Sequence, residues 1–586
     1  MRYKLIEGSA NDINDIVGTV LRNRGIEKPQ EYLNLTDSCV NDYNDLDNMS
    51  EAVECFIRHY NNKDKIAIIP DEDADGYTSS AMLYLYIKSL DQNYPIEYVL
   101  HKEAKKHGLV DMDLSQFDDA KLLIIADSST NDAIQCNELV SRGKSVIILD
   151  HHDENYTEDT EEEVDYQAAQ YNNAIIVNNQ LSPNYANKDL SGAGVTYRFL
   201  EALDQELWHN YADELLDLCA VGNIADVMDL RSYETRYFVN RGLNNFKNKF
   251  LLALAEAQEF STKGIIDIHN IGWFFAPIIN SVTRCGSYEE RDILFRAMTE
   301  QYDEFDYKKR DGSIVKENIY NRAVRLAKNV KGRQDTQRDI VFNELINSVD
   351  ITDKVIVLES QKAQSGLVGL SAMKLADTLK RAVVVVKEVE KDGVKVLGGS
   401  CRNFDGSPIP DLKKLILQTG AFEFCSGHGN AAGLGILPET VEAAKAKFEE
   451  LLKDVDFDLP TPCDFVIDFE DMDISFIYDI DKLHWLWCTG IKDPKTAVKN
   501  ITVKRKDIMV QGKNMDSIAF ECNDVKYVAF KLAENNPLLT FANGWGSKEA
   551  EIVFDAVVEC GLNTYKGVTY CQCTIKDAEV ITIQND

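Results

Sequence analysis

Long apolar runs are missing from this sequence. No stretch approaches the roughly 20 uninterrupted apolar residues that a membrane helix needs, so a helical membrane span is excluded. The opening residues, MRYKLIEGSANDINDI, contain no apolar core of the kind that a signal peptide requires. The thirteen cysteines include no CxxC pair, which argues against both a structural zinc site and a disulfide framework. Cys571 and Cys573, two apart in a strand-like run, read as same-face core packing. A reducing, cytoplasmic setting is expected. Basic residues are also in short supply: 63 Lys and Arg against 97 Asp and Glu leave a net charge of −34. A surface that is uniformly acidic would repel a nucleic acid.

The charge is not uniform. Lys308 to Arg338 holds ten Lys or Arg against three Asp or Glu, and Lys492 to Lys513 holds seven against two. Solvated helix faces and strand edges are the usual fate of such runs. These two islands are nonetheless where a polyanion track is expected.

At 586 residues the chain exceeds what one hydrophobic core serves, so three or four domains are expected. Up to about residue 60 the apolar residues Ile13, Ile16, Val17, Val20 and Leu21, then Ala52, Val53, Phe56 and Ile57, recur at helical spacing. The pattern then changes to short apolar runs: Ile66–Ile69, Leu122–Ile125, Val146–Leu149 and Ile175–Val177. Runs of this length separated by helix-like segments predict buried parallel strands in an α/β sheet. In such sheets the reactive site forms at the carboxyl ends of the strands, so the polar residues that follow carry the most information. A second α/β unit is read around Val383–Val386 and the Gly-rich stretch from Ser426 to Gly433. Leu459-Pro460-Thr461-Pro462 predicts a linker, and alternation near Tyr527–Lys531 and Val568–Cys573 predicts a small β-barrel.

The first strand runs into Asp71-Glu72-Asp73-Ala74-Asp75-Gly76. Three carboxylates at alternate positions repel one another unless a cation or protons offset them. A solvated acidic turn is the plain alternative; an EF-hand loop is disfavoured because Met82 stands where its bidentate Glu belongs. The second strand ends in Asp127 and the third in Asp150-His151-His152. With nine histidines in the chain, an Asp-His-His at a strand end stands out. Imidazole and carboxylate together suit Mn²⁺ or a similar ion, and a neighbouring carboxylate fixes the ring tautomer. A structural histidine pair is the competing reading. Asp226, after Ala220-Val221-Gly222, reads by itself as a helix-terminal cap.

Taken in order, these motifs resemble the DHH phosphoesterase superfamily, and most closely the RecJ single-strand-specific exonucleases. The resemblance extends through Leu190–Gly194, Ala276–Asn280, Arg284, Gly399–Arg402 and the Gly427-His428-x-x-Ala431-Ala432-Gly433 signature. It implies five segments: a helical segment (1–60) packing on a DHH catalytic domain (61–300), a basic helical connector (301–355), a DHH-associated α/β domain (356–456) and a β-rich OB-like domain (457–586). It also implies two divalent ions, Mn²⁺ or Mg²⁺, held by Asp71, Asp73, Asp127, His151 and Asp226, with Asp127 between them. Asp150 would orient His151, His152 would face the scissile phosphate and Asp75 would support the loop. Ser400, Arg402 and His428 would hold phosphates from the opposite wall. Lys102 stands where many RecJ proteins have an arginine for the 5′-phosphate, and a lysine lacks the bidentate fork. Three further departures are noted. No histidine precedes Asp71, Thr283 replaces the usual Gly before Arg284, and Ser426 replaces the first Gly before His428.

Three functions compete. The first is a 5′→3′ exonuclease that degrades single-stranded DNA in repair or recombination, with a single-strand-binding protein or a helicase as partner. For its strand, Trp485, Trp487, Tyr527, Phe530 and Trp545 are candidate stacking residues, with core packing as their alternative. The second is a phosphodiesterase for short oligonucleotides or cyclic dinucleotides, which would leave the C-terminal ~130 residues unexplained. The third is a non-catalytic scaffold, against which the retained acidic and histidine motifs count.

Overall fold

The computed structural model describes residues 3–104, 106–110, 112–154, 172–391, 394–457, 459–544, 546–565 and 567–584. Its first sheet has five strands, all parallel, in the spatial order Ile96–Tyr98, Ile66–Pro70, Leu122–Ala126, Ser145–Asp150, Ile175–Asn178. The strand order reverses beside Ile66–Pro70, which creates a switch point at the carboxyl ends of that strand and Leu122–Ala126.

The short apolar runs are short because both faces of this sheet are covered. Ile66, Ile68, Leu122, Ile124, Ile147 and Leu149 pack against helices Ala74–Leu90 and Gly192–Leu207. The alternate residues Ala67, Ile69, Leu123, Ile125, Val146 and Ile148 pack against Leu109, Phe117, Cys136 and Leu139 on the other side. Each buried Ile, Leu or Val contributes about 1.5–3 kcal/mol, so the strand ends are held on a rigid platform. Further helices between Leu216 and Met298 extend the first core.

Helix Ile319–Leu345, about 40 Å long at 1.5 Å per residue, joins this unit to the next. Its first half buries Ile319, Ala323, Val324, Ala327 and Val330 in the catalytic core; Val341 and Leu345 enter the second unit. The second sheet is mixed, ordered Phe422–His428, Ala431–Ile436, Val394–Arg402, Ala382–Lys391, Val355–Glu359, with only the last pair parallel. The C-terminal unit is a seven-stranded, mostly antiparallel sheet around the hairpin Glu551–Tyr565 and Val568–Gln584, consistent with an OB-like domain. The mixed α/β fold with its parallel sheet is therefore the one read from the sequence. No helix among the described residues is long and apolar enough to cross a membrane.

The N-terminal segment departs from expectation. Only its latter part packs on the catalytic core: Leu46, with Val40 and Tyr43 beside it, and helix Met49–Asn62, which buries Ala52, Val53 and Phe56. Strand Tyr3–Leu5 pairs with Thr461–Cys463, and Ile16, Val20 and Leu21 enter the C-terminal core. Arg24 reinforces this with a fork on the buried Asp464, at 2.7 and 3.0 Å. A local helical pattern shows that a face is apolar, not which distant surface it will cover.

Candidate metal centre and the cleft around it

Asp71, Asp127 and Asp150 stand at the carboxyl ends of three neighbouring strands, and the reversed strand order opens a gap above them. Asp73 caps helix Ala74–Leu90 by accepting the Gly76 N–H through Oδ1 at 3.0 Å. Asp226 arrives from the end of helix Leu216–Ala225. Asp127 adopts the left-handed region at φ 68°, which a non-glycine residue enters at a cost on the order of 1 kcal/mol. The turn is crowded as well: a Cβ on Gly192 would lie 2.5 Å from Asp127 Oδ1, so only glycine permits helix Gly192–Leu207 to start there.

Three sets of donor atoms converge within 4.8 Å: Asp71, Asp73 and Asp127; Asp75, His151 and Asp226; and Asp127, His151 and His152. His151 Nε2 lies 3.3 Å from both Asp127 Oδ1 and Asp226 Oδ2. Those two oxygens are buried and have no hydrogen-bond partner, an arrangement that is costly unless a cation fills it. Burial, followed by the charges of Asp75 and Asp73, pushes Asp127 and Asp226 well above the ordinary carboxylate range. Burial also raises Asp71 against the opposing effect of His107, and with Asp73 it pushes Asp75 up to about 6. The mixed carboxylate and imidazole donors fit divalent ions of the Mn²⁺ or Mg²⁺ class.

Around this core the supporting contacts are specific. Asp75 Oδ1 accepts the Ser191 hydroxyl at 2.8 Å and the Ala193 N–H at 3.1 Å. Asp150 Oδ1 accepts the His151 N–H and the His152 ring Nδ1, each at 2.7 Å, while Oδ2 accepts the Thr130 N–H at 3.1 Å. Burial opposes ionisation of both partners, yet their hydrogen bond and mutual charge prevail. Asp150 is held below the usual carboxylate range and His152, which lines the cleft, is raised to about 10.

The sequence reading missed two groups. His107 Nδ1 lies 2.7 Å from Asp71 Oδ2, and the Gly108 N–H reaches Oδ1 at 3.2 Å. Arg291, fully buried, pairs with Glu72 and donates to the carbonyls of His101 and Lys102 at 2.9 and 3.0 Å. Burial pushes Glu72 up to about 8 in spite of that guanidinium. The scarcity of histidine was the one sequence signal that could have singled out His107. Arg291 gave none.

The centre opens into a cleft of about 880 Å³, with Lys413, Ser426 and Gly427 of the second unit on the far side. Ser400 and Arg402 line an adjoining cavity of about 450 Å³ that shares Ser426 and Gly427. Arg402 donates to Ser400 Oγ at 2.8 Å and to the Cys401 carbonyl at 2.6 Å. Lys102 is not in the metal cleft; it lines a separate cavity of about 330 Å³ with His101 and Lys106. The side chain of His428 lies outside the described residues, as does Trp545. Trp487 and Tyr527 are core residues, while Trp485 and Phe530 are exposed.

Residues 65–223 match the DHH family, N-terminal domain. Over 99% of its length the chain is 35% identical to YorK of Bacillus subtilis (strain 168), covering 98% of a protein named for SPbeta prophage-derived single-strand DNA-specific exonuclease activity. It is 24% identical to the single-stranded-DNA-specific exonuclease RecJ of the same organism, over 97% of this chain and 68% of that one. The chain belongs to the RecJ group of the DHH family. The crystal structure of RecJ with Mn²⁺ from Thermus thermophilus shares the fold of this RecJ-family chain. The TM-score is 0.73 at 19% identity, covering 99% of this chain and 78% of that one. A second Thermus RecJ structure is in complex with Mg²⁺.

Proposed function

We propose that this protein is a metal-dependent hydrolase that degrades single-stranded DNA from its 5′ end to mononucleotides, in repair or recombination. The observation that carries the reading is the pair of orphaned oxygens, Asp127 Oδ1 and Asp226 Oδ2, around His151, beside a cleft that Asp71, Asp127 and His152 line and that is large enough for a nucleotide. Asp71, Asp73, Asp127, His151 and Asp226 would hold two divalent ions. Bound there, such ions supply Lewis acidity and lower the pKa of a coordinated water.

The chain's own groups do the rest. Asp150 keeps His152 protonated and oriented, placing positive charge beside the scissile phosphate where negative charge gathers in the transition state. Arg402, with Ser400 and His428, acts on phosphate oxygens from the second unit. Asp75 serves as a support: its Oδ1 is occupied by Ser191 and Ala193, which locks the start of two helices together. Lys102 and Lys106, with Glu103 and Asp113, wall the small cavity, and the two lysines are suited to the 5′-terminal phosphate as point-charge contacts.

The test uses a single strand of about 40 nucleotides, several single-strand site sizes, labelled at either end, with Mn²⁺. Expected is release of mononucleotides from the 5′-phosphorylated strand, the 3′ label being retained longest. Turnover of dinucleotides with an intact long strand would instead establish a short-oligonucleotide phosphodiesterase.

A further inference from the structure

Two cations of the second unit flank the Ser426–Gly427 segment, and they face different cavities. Arg402 lies on one side, in the cavity with Ser400; Lys413 lies on the other, in the metal cleft opposite Asp71, Asp127 and His152. Gly427 holds φ 128°, a backbone state that strongly favours glycine, and its carbonyl accepts the Lys413 ammonium at 3.1 Å. The Lys413 backbone N–H is tied to the Gly429 carbonyl at 2.8 Å, so the half-buried side chain springs from a fixed base.

Among the described residues, no carboxylate lies within 4.0 Å of the Lys413 ammonium. Lys328 of the connecting helix, which donates to the Ala257 carbonyl, is alike in this, whereas many other cations of this acidic chain are paired. Arg322, Arg325, Lys331, Arg333 and Arg338 on the connecting helix each face a carboxylate, and Lys492, Lys504 and Lys506 of the second basic island do too. The nearest acidic neighbour in sequence, Asp411, is engaged by the Lys414 N–H. Across the cleft stand Asp153 and Glu154, so Lys413 balances a wall that would otherwise repel a strand.

We infer that Lys413 is a strand-binding residue that contacts a backbone phosphate beyond the scissile one. The inference rests on the single-strand reading given above. Arg402 and Lys413 line different cavities that share Ser426–Gly427, which suits them to different phosphates. An ammonium is a compact point charge without a fork, suited to a sequence-independent backbone contact.

The holoenzyme with Mn²⁺ is compared with Lys413→Gln and Lys413→Arg on a long single strand and on a dinucleotide, which has one internucleotide phosphate. For Lys413→Gln, KM on the long strand rises roughly five-fold and the salt slope of binding shrinks by about 0.7, the value of one single-strand phosphate contact. Dinucleotide turnover falls by less than about two-fold, and Lys413→Arg restores the slope. Equal losses on both substrates would overturn the inference, placing Lys413 at the scissile phosphate or in the fold. An unchanged salt slope would overturn it as well. Strand binding is also read by fluorescence anisotropy with Ca²⁺ in place of Mn²⁺. If the wild type binds a long strand but does not degrade it, the exonuclease reading fails while the slope still decides on Lys413.

Discussion

The connecting helix and the cleft handle charge in opposite ways. Along Ile319–Leu345 five of six cations meet a carboxylate, among them Arg322 with Glu289, Arg325 with Glu317 and Arg333 with Glu290, and Lys328 alone donates to a carbonyl, that of Ala257. At the metal centre and its cleft some charges are left unsatisfied by protein: Asp127 and Asp226 each present a bare oxygen, and Lys413 meets only a carbonyl. Among the described residues, six of the ten cations from Lys308 to Arg338 and three of the seven from Lys492 to Lys513 meet a carboxylate, so the charge of the expected polyanion track is reduced and not cancelled. Unpaired charge beside a cavity, and not the density of one sign, marks where this chain has room for a ligand.

The hardest blow to that contrast is Asp127→Asn, which keeps the shape and removes the charge shared by two donor sets. Exonuclease activity should fall on the order of 10³-fold. Thermal melts supply a second readout. Mn²⁺ at 100 times its Kd stabilises the wild type by about 2.7 kcal/mol, and the variant should lose most of that shift. In chelator the variant should melt at or above the wild-type temperature, because a crowd of like charges has been thinned. A variant that kept both activity and the Mn²⁺ shift would show that the orphaned oxygens are not a metal centre.

Arg291 offers an intermediate case, a buried charge whose two terminal nitrogens are paired while Nε is not, placed between two loops. It holds Glu72 of the metal loop and the carbonyls of His101 and Lys102, which border the small Lys102–Lys106 cavity. Arg291→Lys keeps the charge and loses the fork. A roughly three- to ten-fold rise in KM for 5′-phosphorylated strands is expected, about 1 kcal/mol for one misplaced hydrogen-bonded contact, with less change for 5′-hydroxyl strands. Equal effects on both would reduce Arg291 to a fold determinant.

What was legible in the sequence follows from distance along the chain. The parallel strands were readable because two-sided burial leaves Ile66–Ile69 and Leu122–Ile125 almost wholly apolar. The acidic and histidine residues were readable because they directly follow those strands. The contacts of His107 with Asp71, 36 residues apart, and of Arg291 with Glu72, 219 apart, arise only from tertiary approach. For the same reason Trp487 and Tyr527 could not be told from stacking residues until the core closed over them. The division of the N-terminal segment was hidden too, since Val20 and Val53 sit in similar local patterns but in different cores.

The smallest effect is expected where the sequence looked most promising. In the double variant Arg322→Gln/Arg333→Gln, two exposed ion pairs are broken on the basic helix. Exposed pairs are worth about 0–1 kcal/mol, so the melting temperature should move by no more than about 2–4 °C. More tellingly, KM and the salt slope for a long strand should stay within about two-fold and about 0.3 of wild type, below the 0.7 of one phosphate contact. A salt slope lowered by twice that value would mean that Glu289 and Glu290 release both arginines to the strand. The helix would then be part of the track, and the contrast with Lys413 would be one of degree.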